Sequence, residues 1–372
     1  MNILFFISHQ PNPRFVKQIN FLSANNKVSL LCFHRSTLAD IDDSIDASVT
    51  RYNLGSLPNA SQPFKRIWTY FKTIKKIRKL IKESSYDTVL INNIDVLLLY
   101  VFARIGKKKG SKAPKVAIEI SDLREFVFSN SILGKGMRRL ERKLYKKYID
   151  KLIVTSKKYY TYHFKKFFEK DVFVLENKLL AAEIEGTTSS ERTRNDKTII
   201  GIVGLLLRRD EYIALFEIYK DDPNVEIHVH GKGHFQHVIE EYADKYENIK
   251  YFGPYNAFRD ARRIYESIDI IYLVYDIDQV SLNNRLALPN KLYECMYYRT
   301  PLICSKGTYL EEVVTEYDIG LSINYKEEGA IEQAVAHLVK NQNQIDDIFR
   351  ALPSNAYFGD EDYKELENFL TK

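Results

Sequence analysis

A short segment that begins at Pro289 combines side chains and a helix start suited to a phosphorylated ligand. Proline is favoured in the first turn of a helix, and Asn290 or the residue before it can act as the cap. This leaves free backbone N–H groups on Asn290, Lys291 and Leu292, and such groups at a helix start bind phosphate. Lys291 adds a full positive charge there, and Glu294, one turn further on, can accept hydrogen bonds from a ribose diol. The segment therefore predicts a nucleotide site.

The apolar pattern predicts the elements that must position this segment. Short apolar runs alternate with helical patterns from end to end, as in βαβ units around a parallel sheet. The first series predicts strands over residues 3–7, 28–33, 88–91, 116–120, 152–154 and 172–175. The second series predicts strands over residues 199–203, 226–229, 249–252, 268–274 and 302–304. In such sheets ligands bind outside the carboxyl ends of the strands.

A polar stretch separates the two series. Residues 183–197 have no apolar period, which is typical of a linker. The sequence thus predicts an α/β protein with two Rossmann-like, doubly wound parallel-sheet domains that face each other across a cleft. Residues 1–182 form the predicted N-terminal domain and residues 198–372 the C-terminal domain, with the last helix packing back on the N-terminal domain.

Several segments resemble, in order, the landmarks of GT-B fold glycosyltransferases of the family 4 type. The segment at residues 289–294 (PNKLYE) is similar to the P-x-K-x-x-E signature of that family. The others are VLEN at 174–177, GIVG at 201–204 followed by two arginines, HGKG at 230–233, YFGPY at 251–255 and SID at 267–269. The resemblance spans most of residues 150–325. It implies a GT-B enzyme with the sugar donor in the C-terminal domain and the acceptor in the N-terminal domain.

The resemblance also implies roles for individual residues. The implied catalytic residues are Asp122, Lys291 and Arg208. The implied donor-binding residues are Gly204, Arg209, Gly231, Gly253, Tyr255, Asn284, Pro289, Asn290, Leu292 and Glu294. The acceptor side is expected to involve His9 and Arg14.

Structural alternatives stay open for most of these residues. Lys291 could be a solvated helix lysine, and Arg208 and Arg209 could pair with Asp210 or Glu211. Tyr255 could stack on a base or simply pack after its strand. An aspartate before Leu-Arg-Glu, as at residue 122, could equally cap a helix.

One glutamate of the family pattern is missing. Many members carry two glutamates with seven residues between them, and the first would fall at Leu286. The polar residues Asn283, Asn284 and Arg285 are candidates to replace its contact with the transferred sugar. We nevertheless expect retention of the anomeric configuration, as in the family.

Two sets of residues could suggest a metal. His228, His230, His234 and His237 lie within ten residues, and Asp276-Ile-Asp278 resembles the DxD of metal-dependent sugar transferases of another fold. No Cys or carboxylate joins the histidines at ligand spacing, and a lysine, an arginine and a helix start can neutralise a diphosphate without a cation. We therefore predict no metal and no cofactor, with the nucleotide sugar as co-substrate.

The charge of the chain is divided unevenly. Residues 1–180 hold 34 Lys and Arg against 15 Asp and Glu, whereas residues 181–372 hold 21 against 34. Much of the positive charge lies on two amphipathic stretches, residues 64–82 and 135–148. The apolar stripe of each stretch is predicted to pack on a sheet. The stripe of residues 64–82 comprises Ile67, Phe71, Ile74 and Ile81, and that of residues 135–148 comprises Met137, Leu140, Leu144 and Tyr148. A basic face can meet either the phosphates of nucleic acid or an anionic membrane. Together with the family resemblance, this charge leads us to expect membrane contact and no nucleic acid.

The sequence also predicts where the protein works. The N-terminus has no positive n-region and no cleavage site, and the longest other apolar run, residues 96–105, is about half of the ~20 residues a spanning helix needs. Cys32, Cys295 and Cys304 have no CxxC spacing and are expected to be small apolar side chains. We expect a cytoplasmic protein, peripheral at the inner face of the plasma membrane.

These observations predict a glycosyltransferase that moves a hexose-type sugar from a nucleotide diphosphate sugar to a hydroxyl. With the basic N-terminal half, the expected acceptor is a glycan, in particular a lipid-linked one, as in capsule, exopolysaccharide or O-antigen assembly. Two alternatives remain: a polyanion or RNA-binding protein on a degenerate two-domain scaffold, and a nucleotide-sugar epimerase of the same fold.

Overall fold

The computed structural model describes residues 1–34, 44–58, 61–105, 113–184 and 196–371. The chain divides into two compact units. Unit 1 comprises Met1–Glu176 together with Glu361–Lys372, and unit 2 comprises Asn177–Asp360. Each contains one sheet in which every paired strand is parallel, so the predicted pair of parallel-sheet α/β domains is confirmed.

The sheet of unit 1 has the strand order β3-β2-β1-β4-β5-β6-β7. Its strands are β1 (Asn2–Ile7), β2 (Lys27–His34), β3 (Thr50–Ser56), β4 (Thr88–Ile91), β5 (Lys115–Ile120), β6 (Lys151–Val154) and β7 (Asp171–Val174). The sequence did not predict β3, because this edge strand buries Leu54 but no apolar run.

The helices of unit 1 connect these strands. They are α1 (Pro13–Ser23), α2 (Pro63–Glu83), α3 (Ile94–Arg104), α4 (Glu125–Phe128), α5 (Ile132–Tyr148) and α6 (Lys157–Tyr162), followed by a 3-10 turn at Phe164–Lys166. α1 begins at Pro13 and is capped by Asn12, whose side chain accepts from the N–H of Phe15. That cap starts the helix just beyond the carboxyl end of β1.

Unit 2 repeats the design with the strand order β10-β9-β8-β11-β12-β13. Its strands are β8 (Thr198–Leu205), β9 (Val225–Lys232), β10 (Ile249–Gly253), β11 (Ile270–Leu273), β12 (Leu302–Ser305) and β13 (Gly320–Ile323). The strands predicted in both units are present, with ends that shift by at most three residues. Edge strand β13 was not predicted, because it buries Ile323 but no apolar run.

The helices of unit 2 cover its sheet. They are α7 (Ala181–Ile184), α8 (Asp210–Tyr219), α9 (Gln236–Lys245), α10 (Ala257–Glu266), α11 (Leu282–Leu286), α12 (Asn290–Tyr298), α13 (Tyr309–Tyr317), α14 (Ala330–Lys340) and α15 (Gln342–Ala351), with a 3-10 turn at Ser354–Ala356. The core includes buried Cys295 and Cys304, and no cysteine of the described residues is in a disulfide.

The unit boundary precedes the predicted linker. It lies between Glu176 and Asn177, and α7 occupies the start of the 183–197 stretch, of which residues 185–195 lie outside the described residues. The last helix, α16 (Asp360–Thr371), is grouped with unit 1 from Glu361 onward. There Asn26 Nδ2 donates to Glu367 Oε1 at 2.6 Å.

The apolar stripe predicted for α2 is wrong in its first half. Ile67 and Phe71 are exposed, whereas Ile77 and Ile81 are buried. In α5, Leu144 is buried but Leu140 is exposed. Helical periodicity identifies residues on one face, but only the neighbouring elements determine how much of that face is covered. No helix in the described ranges combines the length and apolarity needed to cross a bilayer.

Candidate active site

Glycines at the carboxyl ends of β8 and β9 allow a close approach of backbone and side chain. Gly204 and Gly231 have φ values of +125° and +147°, which disfavour any other residue. A Cβ on Gly231 would stand 1.8 Å from the carbonyl oxygen of Gly204, so a larger residue could not fit. A Cβ on Gly204 would stand 3.5 Å from Cε of Lys291. The lysine of the PNKLYE segment therefore lies directly beside the end of β8.

Lys291 is tied into a polar cluster. Its Nζ donates to Glu294 Oε2 at 2.8 Å and to the Tyr255 hydroxyl at 3.0 Å. The Tyr265 hydroxyl donates to the same Glu294 oxygen. The side chains of Lys291 and Glu294 are only 15% and 12% exposed. Lys291 is therefore not a solvated helix lysine, and Tyr255 contacts a predicted donor-binding residue.

The electrostatics of this cluster keep Lys291 charged. Burial by itself lowers the pKa of Lys291, but the charge of Glu294 and the hydroxyl of Tyr255 raise it, with a net rise above the usual value. Burial first, and then the Glu294 carboxylate, raise the pKa of Tyr265 well above its usual value, so it remains a hydrogen-bond donor. The result is a permanent cation with a fixed counter-ion beside the carboxyl end of β8.

The start of α12 differs in detail from the prediction. Pro289 occupies the cap position, and its side chain makes no capping hydrogen bond to the first turn. The N–H of Leu292, predicted to be free, donates to the carbonyl of Pro289 at 3.0 Å. Asn290 does not cap the helix; its Oδ1 accepts from Asn177 Nδ2 at 2.6 Å. Asn177, of the VLEN segment, thus helps to fix the helix start.

The two candidate arginines occupy different environments. Arg209 pairs with Asp210 at 2.9 Å, and both side chains are more than half exposed. The guanidinium of Arg208 stacks 3.7 Å from the ring centroid of Tyr275, just after β11. A cation held on an aromatic face beside a strand end is better placed for an anion than one already paired with a carboxylate.

The segment around the missing glutamate is a short helix. Ser281 caps α11 by accepting from the N–H of Asn284 at 3.1 Å, and Arg285 donates to the carbonyl of Ile277 at 2.7 Å. Both Asn284 and Arg285 are exposed. Gly253, at the end of β10, has φ +75° and would meet nothing within 4 Å if it carried a Cβ, so its conformation alone favours glycine.

The two candidate metal sets are engaged in other interactions. Lys326 Nζ binds the carboxylates of Asp276 and Asp278 at 2.8 and 3.0 Å. The ring of His230 stacks on Phe252 with centroids 4.5 Å apart. Burial, and then the neighbouring His228, lower the pKa of His230 to about 4. Among the described residues no three His, Cys, Asp or Glu side chains are grouped to hold a metal ion.

Unit 1 has its own cavity at the carboxyl ends of its strands, with a volume of about 300 Å³. His9 and Asp122 both line it, as do Asn92 and Asn93. Arg14 does not: it is buried, and its guanidinium donates to Glu119 and to the carbonyl of Leu175, each at 2.8 Å. The structure therefore places His9 and Asp122 on the same cavity and leaves Arg14 as a fixed buried cation within α1.

Sequence reasoning missed several polar residues of these sites. In unit 2 they are Tyr265, Tyr275 and Lys326, and in unit 1 His163, whose Nε2 lies 2.6 Å from Glu141 Oε2. Each of these residues contacts a partner that lies 22 to 67 residues away along the chain. Local sequence spacing could therefore not reveal these contacts.

Comparison with known proteins agrees with this geometry. Residues 184–351 match the family described as glycosyl transferases group 1. No curated protein matches the chain significantly in sequence. HepE from Anabaena, solved in complex with UDP, has 13% identity and a TM-score of 0.68, with 100% of both chains covered.

Two further solved structures share the fold. The lipopolysaccharide outer core galactosyltransferase WaaB has 14% identity and a TM-score of 0.66, covering 100% of this chain and 99% of its own. UDP-GlcNAc 2-epimerase from Neisseria meningitidis has 13% identity and a TM-score of 0.64, again covering 100% and 99%. At such identities the structures establish the fold alone, and the match to the glycosyl transferases group 1 family covers residues 184–351. The chain is a GT-B fold glycosyltransferase whose residues 184–351 match the glycosyl transferases group 1 family.

Proposed function

We propose that this enzyme transfers a hexose-type sugar from a nucleoside diphosphate sugar, bound in unit 2, to a hydroxyl group of a lipid-linked glycan, bound in unit 1. The observation that carries the donor assignment is the buried Lys291 beside Gly204 at the start of α12. A cation, a close glycine backbone and an uncapped helix start are the features that bind a diphosphate. HepE was solved with UDP and the Neisseria epimerase with UDP-GlcNAc, which makes UDP the first nucleotide to test.

The proposed chemistry is stabilisation of the leaving group. The bond between the anomeric carbon and the diphosphate oxygen breaks, and its electron pair leaves with the diphosphate. Lys291, Arg208 and the N–H groups of α12 stabilise that negative charge better in the transition state than in the bound donor. The acceptor oxygen forms the new bond to the anomeric carbon on the same face that the diphosphate leaves, and Asp122 in the cavity of unit 1 is proposed to accept the proton of that hydroxyl. We propose retention of the anomeric configuration and no metal ion.

A second part of the proposal is that unit 1 docks on an anionic membrane. The first half of α2 presents a ridge of four apolar side chains, Phe64, Ile67, Trp68 and Phe71, between 51% and 86% exposed. Spacings of three, one and three residues place them on one face. Lysines flank this ridge, and Lys72 Nζ lies 5.3 Å from the Trp68 ring. An apolar ridge between cations suits the headgroup boundary of an anionic bilayer.

This ridge supports a membrane more than the RNA alternative. Bases could stack on the aromatic side chains of the ridge, but nucleic acid gains little from the exposed Ile67, whereas a bilayer buries all four apolar side chains. The epimerase alternative shares the fold but has no acceptor, and it would give a product from nucleotide sugar alone. Binding to anionic lipid therefore distinguishes the transferase from the RNA-binding alternative. A requirement for an acceptor distinguishes the transferase from the epimerase.

The test of the donor site is a thermal-shift panel of UDP, GDP and ADP with matched lysine variants. Lys291→Ala should abolish the shift given by the preferred nucleotide. The control is Lys220→Ala, because Lys220 forms a similar ion pair at 2.7 Å with Glu217, three residues away, but at the carboxyl end of α8. The control should retain the full rise in unfolding temperature, because this rise grows with the ratio of nucleotide concentration to Kd. Equal shifts in wild type and Lys291→Ala would remove the assignment.

A further inference from the structure

A second concave site in unit 1 is lined almost entirely by cations and aromatic rings. It lies between α5 and the segment at residues 162–167 and has a volume of about 480 Å³. Its cationic lining residues are Lys135, Arg138, Arg139, Arg142 and Lys166. The remaining lining residues are Phe128, Tyr162, His163 and Phe167, and no carboxylate is among the described residues that line it. We call this site the basic pocket.

The protein backbone holds two of these cations in place. Arg138 donates to the carbonyl of Val127 and, at 2.9 Å, to the carbonyl of Ser129. Arg142 donates to the carbonyl of Lys166 at 3.2 Å, and its guanidinium lies 5.6 Å from the Phe167 ring centroid. Carbonyl oxygens and ring faces fix the arginines without neutralising them. The pocket thus keeps like charges close together, an arrangement that a multivalent anion stabilises.

The basic pocket shares a wall with the cavity that contains Asp122. Phe128 and His163 line both, and their ring centroids are 4.9 Å apart. On the cavity side, His163 is held by Glu141. A ligand whose hydroxyl lies beside Asp122 would therefore carry its neighbouring group toward the cations. An acceptor with a negatively charged group next to its sugar matches this arrangement.

Apolar side chains at the start of α5 indicate what that group is attached to. Ile132 and Leu133 are 88% and 78% exposed and precede Lys135 in the same helix. We infer that the basic pocket binds the diphosphate of a lipid-linked acceptor, with the first part of the lipid against Ile132 and Leu133. This inference rests on the proposed function for the identity of the acceptor, whereas the affinity of the pocket for a diphosphate can be measured independently.

The experiment measures binding of inorganic pyrophosphate and of farnesyl diphosphate by calorimetry. Both are measured in a Lys291→Ala background, so that the donor site of unit 2 does not contribute. The pocket variant combines Lys135→Gln, Arg139→Gln and Lys166→Gln, and it spares the two arginines that bind carbonyl groups. The matched control combines Lys143→Gln, Lys146→Gln and Lys147→Gln, which remove the same charge from exposed positions outside the pocket.

We expect the pocket variant to lose at least tenfold in affinity for both ligands and the control less than twofold. Farnesyl diphosphate should bind more tightly than pyrophosphate, and Ile132→Ser with Leu133→Ser should remove that difference alone. Equal losses of affinity in the pocket variant and the control variant would show that the ligands respond only to the overall positive charge of unit 1. That result would overturn the basic pocket as a binding site. Equal affinity for the two ligands would overturn the lipid assignment. If the expected calorimetric results were obtained but UDP, GDP and ADP gave no Lys291-dependent thermal shift, the proposed donor site would be wrong and the basic pocket would stand.

Discussion

The two units have the same architecture but handle charge in opposite ways. Unit 1 carries 35 Lys and Arg against 19 Asp and Glu, and unit 2 carries 20 against 30. In unit 2 two of the cations near the strand ends are paired with carboxylates, Lys291 with Glu294 and Lys326 with Asp276. In unit 1 the cations line the basic pocket and flank the ridge of α2. A parallel sheet with covering helices imposes neither pattern, so the shared fold does not explain the difference.

The comparison indicates two ways of using a cation. A cation buried beside a carboxylate is positioned and stays charged, which suits transition-state stabilisation at one atom. Cations on an exposed helix next to apolar side chains act together and are screened by salt, which suits a surface. Variants can therefore affect donor chemistry and surface binding separately.

The largest effect is expected at the paired cation of unit 2. Lys291→Ala should lower kcat by about 10²–10³-fold, the usual loss when one preorganised stabilising group is removed from a developing charge. Glu294→Gln should lower it less, since the amide can still accept from Tyr265 and Lys291. Steady-state kinetics with circular dichroism checks this. Wild-type kcat in a folded Lys291→Ala enzyme would contradict it.

The next effect concerns the exposed cations of unit 1. Changing Lys65, Lys72, Lys75 and Lys79 to Glu should weaken binding to anionic vesicles by at least 100-fold, since each cation near such a surface contributes about 1 kcal/mol. Lys76 is spared because its Nζ donates to the carbonyl of Asn53. Trp68 is the only tryptophan of the chain, so its fluorescence should shift to the blue on binding.

Three controls complete this measurement. Neutral vesicles should bind weakly, rising salt should release the protein, and transfer to a soluble acceptor analogue should survive the four substitutions. An unchanged Trp68 spectrum with pelleted vesicles would show that the ridge stays outside the bilayer. Tight, salt-resistant RNA binding without vesicle binding would favour the nucleic-acid alternative.

A smaller effect is expected from the buried histidine of unit 2. The folded-state pKa of His230 is about 4, below the ordinary value of 6.5, so the unfolded chain binds the proton first. Its contribution to stability is present above pH 6.5 and is lost as the pH falls toward 4, by roughly 3 kcal/mol in total. Thermal unfolding of His230→Gln should therefore depend less on pH in this window.

The matched control for this pH prediction is His337→Gln, at an exposed position on α14. It should keep the pH dependence of the wild type. If the unfolding temperature depended on pH equally in the wild type, His230→Gln and His337→Gln, other groups would be responsible for the loss of stability in acid.

The smallest effect is expected on removal of metal. EDTA should leave transfer within about threefold, because Lys291, Arg208 and the start of α12 are proposed to neutralise the diphosphate and because Lys326 already binds Asp276 and Asp278. Complete loss of activity that manganese restores would mean that the aspartates bind metal once Lys326 moves away.

The sequence by itself determined the features that depend on neighbours along the chain. Apolar runs located the inner strands of both sheets, because strands buried on two faces need continuous apolar residues. The order of the PNKLYE, HGKG and VLEN segments indicated the family. The charge division required only counting. Edge strands β3 and β13 were missed because polar residues and glycines interrupt their apolar residues, unlike those of edge strand β7.

Only the tertiary structure decided how distant residues meet and which faces are covered. Tyr265 and Glu294 are 29 residues apart, and Lys326 and Asp276 are 50 apart, yet each pair is in contact. The periodicity of α2 placed Ile67 and Phe71 on one face but could not reveal that the face is exposed. Burial and pairing depend on which elements pack together in three dimensions, and hydrophobic periodicity within one element carries no information about its neighbours.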